Sequence, residues 1–381
     1  MIIKTFKFRI YPSRSQAKSL ESIVETCRRF YNSCLEERKT AYEERKESIG
    51  VFAQLRRVKI EKENNEYAKN IHSHVLQVVV QDLDKSFRAF FRRVKAGETP
   101  GYPRFKGRNR FDSFGLKEYG NGFKLAGRRL KLSGVGRIRV MWHREITGKI
   151  KTLRVVRAAR KWYACFACEC EENILEKTGL QVGVDVGIKS LVSLSDGETI
   201  ENPKWYRESQ KELRVAQRRV SRRIKGGSNR RKAISILQTK HTKTTNQRKD
   251  YLNKIAHYLV GKYDLIGLED LQITNMVRNH LSKSIMDAGW GYLKLQLTHK
   301  AAEAGRELIL VNPSYTSKTC SNCGFVFENF TLADRWVECE CGLSMDRDVN
   351  AAKNILKRAG QVRWGLTYPS RESVPQEATA L

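Results

Sequence analysis

No run in the 381-residue chain is apolar for long enough to cross a bilayer, which excludes a transmembrane helix. The N-terminus, M-I-I-K-T-F-K-F-R-I-Y-P, alternates apolar and basic residues and lacks the continuous apolar segment of a secretory signal. An intracellular, cytoplasmic protein is expected, with its nine cysteines not paired as disulfides. Acids are also scarce: Asp and Glu number 41 against 72 Lys and Arg, a formal net charge of +31. That excess speaks to partners rather than to fold, and it points to a polyanion held over an extended footprint. No tyrosine or serine recombinase constellation is present to serve DNA joining. The length suggests two or three domains.

The few acids that interrupt apolar runs are the informative ones. Gln181 to Gly197, Q-V-G-V-D-V-G-I-K-S-L-V-S-L-S-D-G, reads as a hairpin, with β-branched residues bounded by an Asp-Gly pair. Asp185 lies within its first strand. An acid in a buried strand is costly unless it binds something; the plainer alternative is a strand-end aspartate capping its own turn. Glu269 likewise ends an apolar strand, Y-D-L-I-G-L-E-D-L. Asp346 and Asp348 open a helical pattern in M-D-R-D-V-N-A-A-K-N-I-L, where the alternative is an ordinary helix cap. One acid on a hairpin strand, one at a later strand end and one at a helix start is the carboxylate set of an RNase H-like nuclease. Two divalent ions about 3.5–4 Å apart activate water and stabilise the leaving oxygen of a phosphodiester. Hard cations such as magnesium take oxygen ligands, so carboxylates are needed and histidine is not.

Four cysteines have metal spacing. Cys320-S-N-Cys323-G and Cys339-E-Cys341-G form two knuckles, the pattern of a closed four-thiolate zinc site, each pair followed by a turn glycine. A closed site of this kind stabilises and does not catalyse, and here it directly precedes the third acid. Cys165, Cys168 and Cys170 also include a C-x-x-C and a C-x-C, but no histidine or fourth thiol lies near them, so plain strand residues are the stronger reading. Cys27 and Cys34 fall on the apolar face of a helix and are expected to be core.

The basic residues are unevenly placed. After a basic strand over 1–11, ended by Pro12, periodicity predicts helices from Ser13 to about Val94. One has an apolar face of Leu20, Ile23, Val24, Cys27, Phe30, Tyr31 and Cys34, and another, from about Ser73, runs through Val75, Leu76, Val79, Leu83, Phe87, Phe90 and Phe91. Between Pro100 and Phe114, Tyr102, Phe105, Phe111 and Phe114 alternate with Arg104, Lys106, Arg108 and Arg110. That interleaving suits cations on phosphates with rings stacked on bases, the alternative being a solvated basic loop. Residues 116–172 are β-rich and with the first strand are expected to form a small barrel interrupted by the helices. A long helical insertion, about Lys204 to Tyr263, carries Arg222, Arg223, Lys225, Arg230 and Arg231 around a Gly-Gly-Ser hinge, a natural clamp for a phosphate backbone.

V-D-V-G-I-K, L-E-D-L, the paired knuckles and D-R-D-V-N-A-A-K-N-I, with F-K-F-R-I-Y-P, F-F-R-R-V-K and G-Y-P-R-F-K-G upstream, resemble the TnpB family over nearly the whole chain. These are transposon-encoded, RNA-guided DNA nucleases, similar to compact ancestors of type V CRISPR effectors. The resemblance implies an α/β multidomain chain. A wedge β-barrel (1–12 and 111–177) is interrupted by a helical recognition module (13–110). A RuvC-like RNase H-fold domain (178–314 and 346–363) carries an inserted zinc ribbon (315–345), and a flexible tail follows (364–381). It implies two magnesium ions on Asp185, Glu269 and Asp348, with Asp348 preferred to Asp346 and supported by Asn350, and one zinc on Cys320, Cys323, Cys339 and Cys341. Gln77 resembles positions that read the short motif beside the target. The implied partners are a guide RNA and a target double-stranded DNA, with no membrane and a monomer favoured. The implied place is near the nucleoid of a prokaryote. A non-cutting RNA-guided repressor and a transposase are the alternatives.

Overall fold

A computed structural model describes residues 1–108, 110–277, 281–331 and 333–363; the expected tail at 364–381 lies outside the described residues. The chain divides into two compact units, one over Met1–Glu171 and one from Glu172 onward.

In the first unit, strand β1 (Ile2–Tyr11) buries Phe6, Phe8 and Ile10 and turns the residues between them outward, as period-two alternation requires. Pro12 ends it, and Ser13 caps helix α1 (Arg14–Arg45). The Ser13 hydroxyl accepts from the Gln16 amide while the Gln16 side chain accepts from the Ser13 amide, a reciprocal capping box. Helices α2 (Val51–Asn64), α3 (Glu66–Lys69) and α4 (Ser73–Lys95) follow. The seven apolar residues expected on α1 are all buried, as are Val75, Leu76, Val79, Leu83 and Phe87 of α4. Phe91 is not: it is 57 % exposed, because the last turn of α4 carries Arg92, Arg93 and Lys95 into solvent.

Strands β2 (Ser113–Leu116), β3 (Glu118–Tyr119), β4 (Gly122–Ala126), β5 (Arg129–Leu132), β6 (Gly136–Met141), β7 (Lys149–Ala158) and β8 (Lys161–Cys170) complete the unit. They join β1 in an eight-stranded sheet of order β2-β7-β8-β1-β6-β5-β4-β3. β1 is antiparallel to both β6 and β8, so the first strand pairs with strands that follow the helical insertion, as the sequence suggested.

The second unit holds β9 (Gln181–Asp185), β10 (Ser190–Leu194), β11 (Thr199–Glu201), α5 (Trp205–Ser221), α6 (Ser228–Lys262), β12 (Leu265–Glu269), α7 (Ile273–Met276), α8 (Ser282–Ala288), α9 (Trp290–Ala304), β13 (Glu307–Val311), β14 (Trp336–Glu338), β15 (Ser344–Asp346) and α10 (Arg347–Arg363). Its main sheet has the order β11-β10-β9-β12-β13. β9 and β10 form the expected antiparallel hairpin, while β12 runs parallel to both β9 and β13. Val182 and Val184 point into a core shared with α6 and α9 through Leu252, Leu259, Leu293 and Leu297. The opposite face is covered by α10. Gly183 and Gly267 are register partners on β9 and β12. A Cβ on Gly183 would overlap the Ala352 carbonyl oxygen, and one on Gly267 would lie 2.9 Å from the Ala359 Cβ. Two glycines on the sheet and small residues on the helix let backbone approach backbone.

Candidate active site

Two neighbouring parallel strands of this sheet end in acids. Asp185 follows Val184 and Glu269 follows Leu268, and those two residues are themselves register partners. Ligand sites in open sheets lie beyond the carboxyl ends of parallel strands, where side chains converge and backbone pairing stops. Side chains two apart share a face, so Asp185 and Glu269 point to the same side as Gly183 and Gly267, the side covered by α10. Asp348 lies in the first turn of α10, one turn before Ala352. The glycine contact that seats the helix therefore delivers its first-turn acid over the strand ends.

The electrostatics agree with that placement. The Asp185 carboxyl is raised well above the usual carboxylate range, first by burial and then by the charges of Glu269 and Asp348, while Arg347 pulls the other way. Glu269 is 8 % exposed, and burial pushes it up to about 7 against the opposing pull of a hydrogen bond from Thr316 and the charge of Arg358. Asp348 has the Arg347 Nε 3.3 Å from its Oδ1. Glu269 is buried, and Asp185 and Asp348 are half-buried; like charges brought together there are costly without a counter-charge, and this donor set, all carboxylate oxygen, fits hard divalent cations.

The two acids of D-R-D do different work. Asp346 Oδ1 accepts from the Asp348 amide at 2.8 Å and the Val349 amide at 3.4 Å, so Asp346 caps α10. Asn350, expected to support Asp348, instead joins the first knuckle: its Oδ1 accepts from the Ser321 amide at 2.9 Å and its Nδ2 donates to the Thr319 carbonyl at 2.8 Å.

Cys320, Cys323, Cys339 and Cys341 place their Sγ atoms within 4.8 Å of one another, the one such group of potential metal ligands among the described residues. Cys320 and Cys341 are 3.6 Å apart, as are Cys323 and Cys339. Tetrahedral zinc with Zn–S bonds of about 2.3 Å requires sulfurs about 3.8 Å apart, whereas a disulfide would need about 2 Å. Gly324 and Gly342 take φ of +82° and +86°, the left-handed turn each knuckle needs. Hydrogen bonds from Asn322 and the Leu343 backbone hold the Cys341 thiol down, while, against a hydrogen bond from the Cys341 backbone, burial and hydrogen bonds with Cys323, Cys341 and Cys320 push Cys339 up to about 12. Cys168 and Cys170 instead lie on the buried face of β8 and Cys165 on the other face, so these three do not converge.

The expected nucleic-acid contacts divide. Arg104, Arg108, Arg110, Arg222, Arg223, Lys225 and Arg231 are exposed. Lys106 has its backbone pinned by Asn32 and Arg28 and its ammonium over the Tyr31 ring. Arg230 donates to the Val220 and Arg223 carbonyls at 2.9 and 2.8 Å, closing the C-terminal end of α5 rather than reaching outward. Gln77 accepts from Lys117 Nζ at 2.9 Å. Of the four rings expected to stack on bases, Phe114 is in the core and Phe111 packs against it, because β2 begins at Ser113 and draws both inward. Phe105 stays exposed, and Tyr102 is partly open while packing edge-on against Phe87 and Phe90. The sequence reading missed Thr316, Arg347 and Arg358 around the acids. Only their nearness to the knuckles and to D-R-D signalled them.

Residues 166–280 match a family model described as a probable transposase, residues 290–355 one for a Cas12f1-like TNB domain, and residues 1–47 one for a helix-turn-helix domain. Those first 47 residues are here strand β1 and the single long helix α1. A putative RNA-guided DNA endonuclease of Streptomyces pristinaespiralis is 34 % identical over 362 residues, covering 93 % of this chain and 88 % of its own length. The putative RNA-guided DNA endonuclease InsQ of Escherichia coli K12 is 29 % identical over 403 residues, 100 % of this chain and 98 % of its own. Among solved structures, a Cas12f1–sgRNA–target DNA complex shares the fold with a TM-score of 0.58 at 14 % identity, covering 93 % of this chain and 98 % of that one.

Proposed function

Because this chain belongs to the TnpB family, we propose that it is an RNA-guided DNA endonuclease of a transposable element, with a guide RNA and a target DNA as its partners. Holding both nucleic acids accounts for the +31 charge. Sequence reading then falls to base pairing, and the protein reads shape and a short motif. Among the described residues no helix is long and apolar enough to cross a membrane; the proposed setting is a prokaryotic nucleoid.

The cutting centre is assigned to Asp185, Glu269 and Asp348, in a RuvC-type, RNase H-like domain. The observation that carries this is that acids end two parallel, register-paired strands and that the charges of Glu269 and of Asp348, at the start of α10, both act on Asp185. When bound, a pair of magnesium ions would supply an activated water and stabilise the departing 3′ oxygen. The chain's own part is to fix the carboxylate oxygens and to keep Arg347 beside Asp348. The four thiols hold a structural zinc that braces α10. The wedge and recognition modules (1–12 with 111–177, and 13–110) belong to the first part of the chain, and Gln77 with the exposed cations at 104–110 and 222–231 meets nucleic acid. A non-cutting repressor is not favoured, since all three acids are present.

Alanine at Asp185, Glu269 or Asp348 should abolish cleavage while leaving co-purified RNA nearly unchanged. Robust cutting by the Asp185→Ala protein overturns the assignment.

A further inference from the structure

Residues 312–319 run from the end of β13 to the first zinc knuckle, and one face of α10 is devoted to holding them. Asn350, Asn354 and Arg358 recur one helical turn apart, all buried, with Asn350 fully so. Asn350 Nδ2 donates to the Thr319 carbonyl; Asn354 Nδ2 donates to the Thr316 and Thr319 carbonyls at 2.9 and 2.6 Å; Arg358 Nη1 donates to the Asn312 and Ser314 carbonyls at 2.8 and 2.6 Å. Fully satisfied buried networks of this kind fix geometry, since every slip leaves a polar group unpaired. In the middle of the strap is Thr316, 4 % exposed. Its Oγ1 lies 2.5 Å from Glu269 Oε1 and 3.0 Å from the Pro313 carbonyl. One hydroxyl proton has two acceptors, and the Glu269 carboxyl, once ionised, takes it over an amide. The element that carries Asp348 thus also clamps the strap that grips Glu269.

We propose that Thr316 is a positioning residue for DNA cutting: locked by the α10 ladder, its hydroxyl fixes the orientation of Glu269 and so sets the affinity of the carboxylate centre for its divalent ions. The proposal rests on the reading of those carboxylates as metal ligands. Partners that orient a ligand in this way typically change metal affinity or activity by about 10–100-fold when removed.

The test uses the full-length, RNA-bound protein with Thr316→Val, Thr316→Ala and Thr316→Ser. Mn2+ binding is followed by electron paramagnetic resonance without target, and the Mg2+ concentration for half-maximal cleavage is measured separately. Zinc content and melting temperature report the fold. Val and Ala should weaken Mn2+ binding and raise the Mg2+ requirement about tenfold or more, with zinc retained and cutting recovering at high Mg2+; Ser should stay near the parent. Parent-like Mn2+ binding in Val and Ala overturns the proposal. So does loss of zinc and early melting in both, which would place Thr316 in the fold alone, and so does a Ser variant as impaired as Val. Asp185→Ala in the same titration separates the two layers. If it also binds Mn2+ normally, the carboxylate reading has failed, and the Thr316 proposal with it.

Discussion

Glu269 and Asp185 keep their protons to higher pH than ordinary carboxyls do. Burial is the leading cause for both, and for Asp185 the two neighbouring carboxylates add to it. Unfolded carboxylates titrate near about 4, whereas folded Glu269 titrates at about 7. Between those values the unfolded chain binds fewer protons than the folded one, so stability falls as pH rises through that window. On the proposed reading divalent ions compete with protons for the same oxygens and should relieve the penalty. The melting temperature of chelator-treated protein is expected to fall between about pH 4 and about pH 7, and the rise on adding Mg2+ to be larger at the higher pH. Equal Mg2+ shifts at both pH values contradict this. The placement of Asp185 and Glu269 at the ends of apolar strands was legible in the sequence, and an acid there is costly and asks for a reason. Asp346 and Asp348 could not be separated by spacing, since both begin a helix; only the capping bonds from Asp346 distinguish them. Thr316 was invisible among Ser314, Ser317 and Thr319, because its role depends on a partner 47 positions away.

Between elements, the decisive contact is α10 on the β9–β12 pair. Gly183→Ala would drive a methyl into the Ala352 carbonyl and within 2.7 Å of the Leu356 amide nitrogen, both of them helix backbone that cannot rotate away. α10 must then lift, and Asp348 with it. The variant is expected to lose about 1–3 kcal/mol in denaturant unfolding and most of its cleavage; parent-like values in both would show that the close approach does not position the acid. The zinc knuckles act on the other side of the same helix through Asn350. Cys320→Ser should lower zinc content and thermal stability together, and a full zinc complement in that variant sinks the four-thiolate site. The helices and the hairpin were readable from periodicity, down to the start of α4 at Ser73. Phe111 and Phe114 were misplaced because a strand beginning at Ser113 has the same alternation as a ring-and-cation loop.

Across the chain, the surplus of positive charge is distributed over exposed side chains with distinct duties. Arg222, Arg223 and Lys225 are exposed at the α5–α6 turn, whereas Arg230 holds that turn shut. Replacing the first three with Gln should reduce the slope of log binding against log salt by up to about 2.7, at roughly 0.9 for each phosphate no longer neutralised. An unchanged slope would remove that turn from the nucleic-acid footprint. Arg230→Gln should loosen the turn with little change in slope. Charge of this kind was plain in the sequence, but which cations are spent on the fold was not, because a carbonyl brace and a phosphate clamp use the same residue type. The most direct measurement begins by expressing the protein with its native flanking DNA and sequencing the RNA that co-purifies. One discrete RNA ending in variable sequence is expected, with Mg2+-dependent cutting of DNA that matches that end and a cut that moves when the end is exchanged. A heterogeneous RNA smear, with no cutting that follows its sequence, would contradict the guided reading.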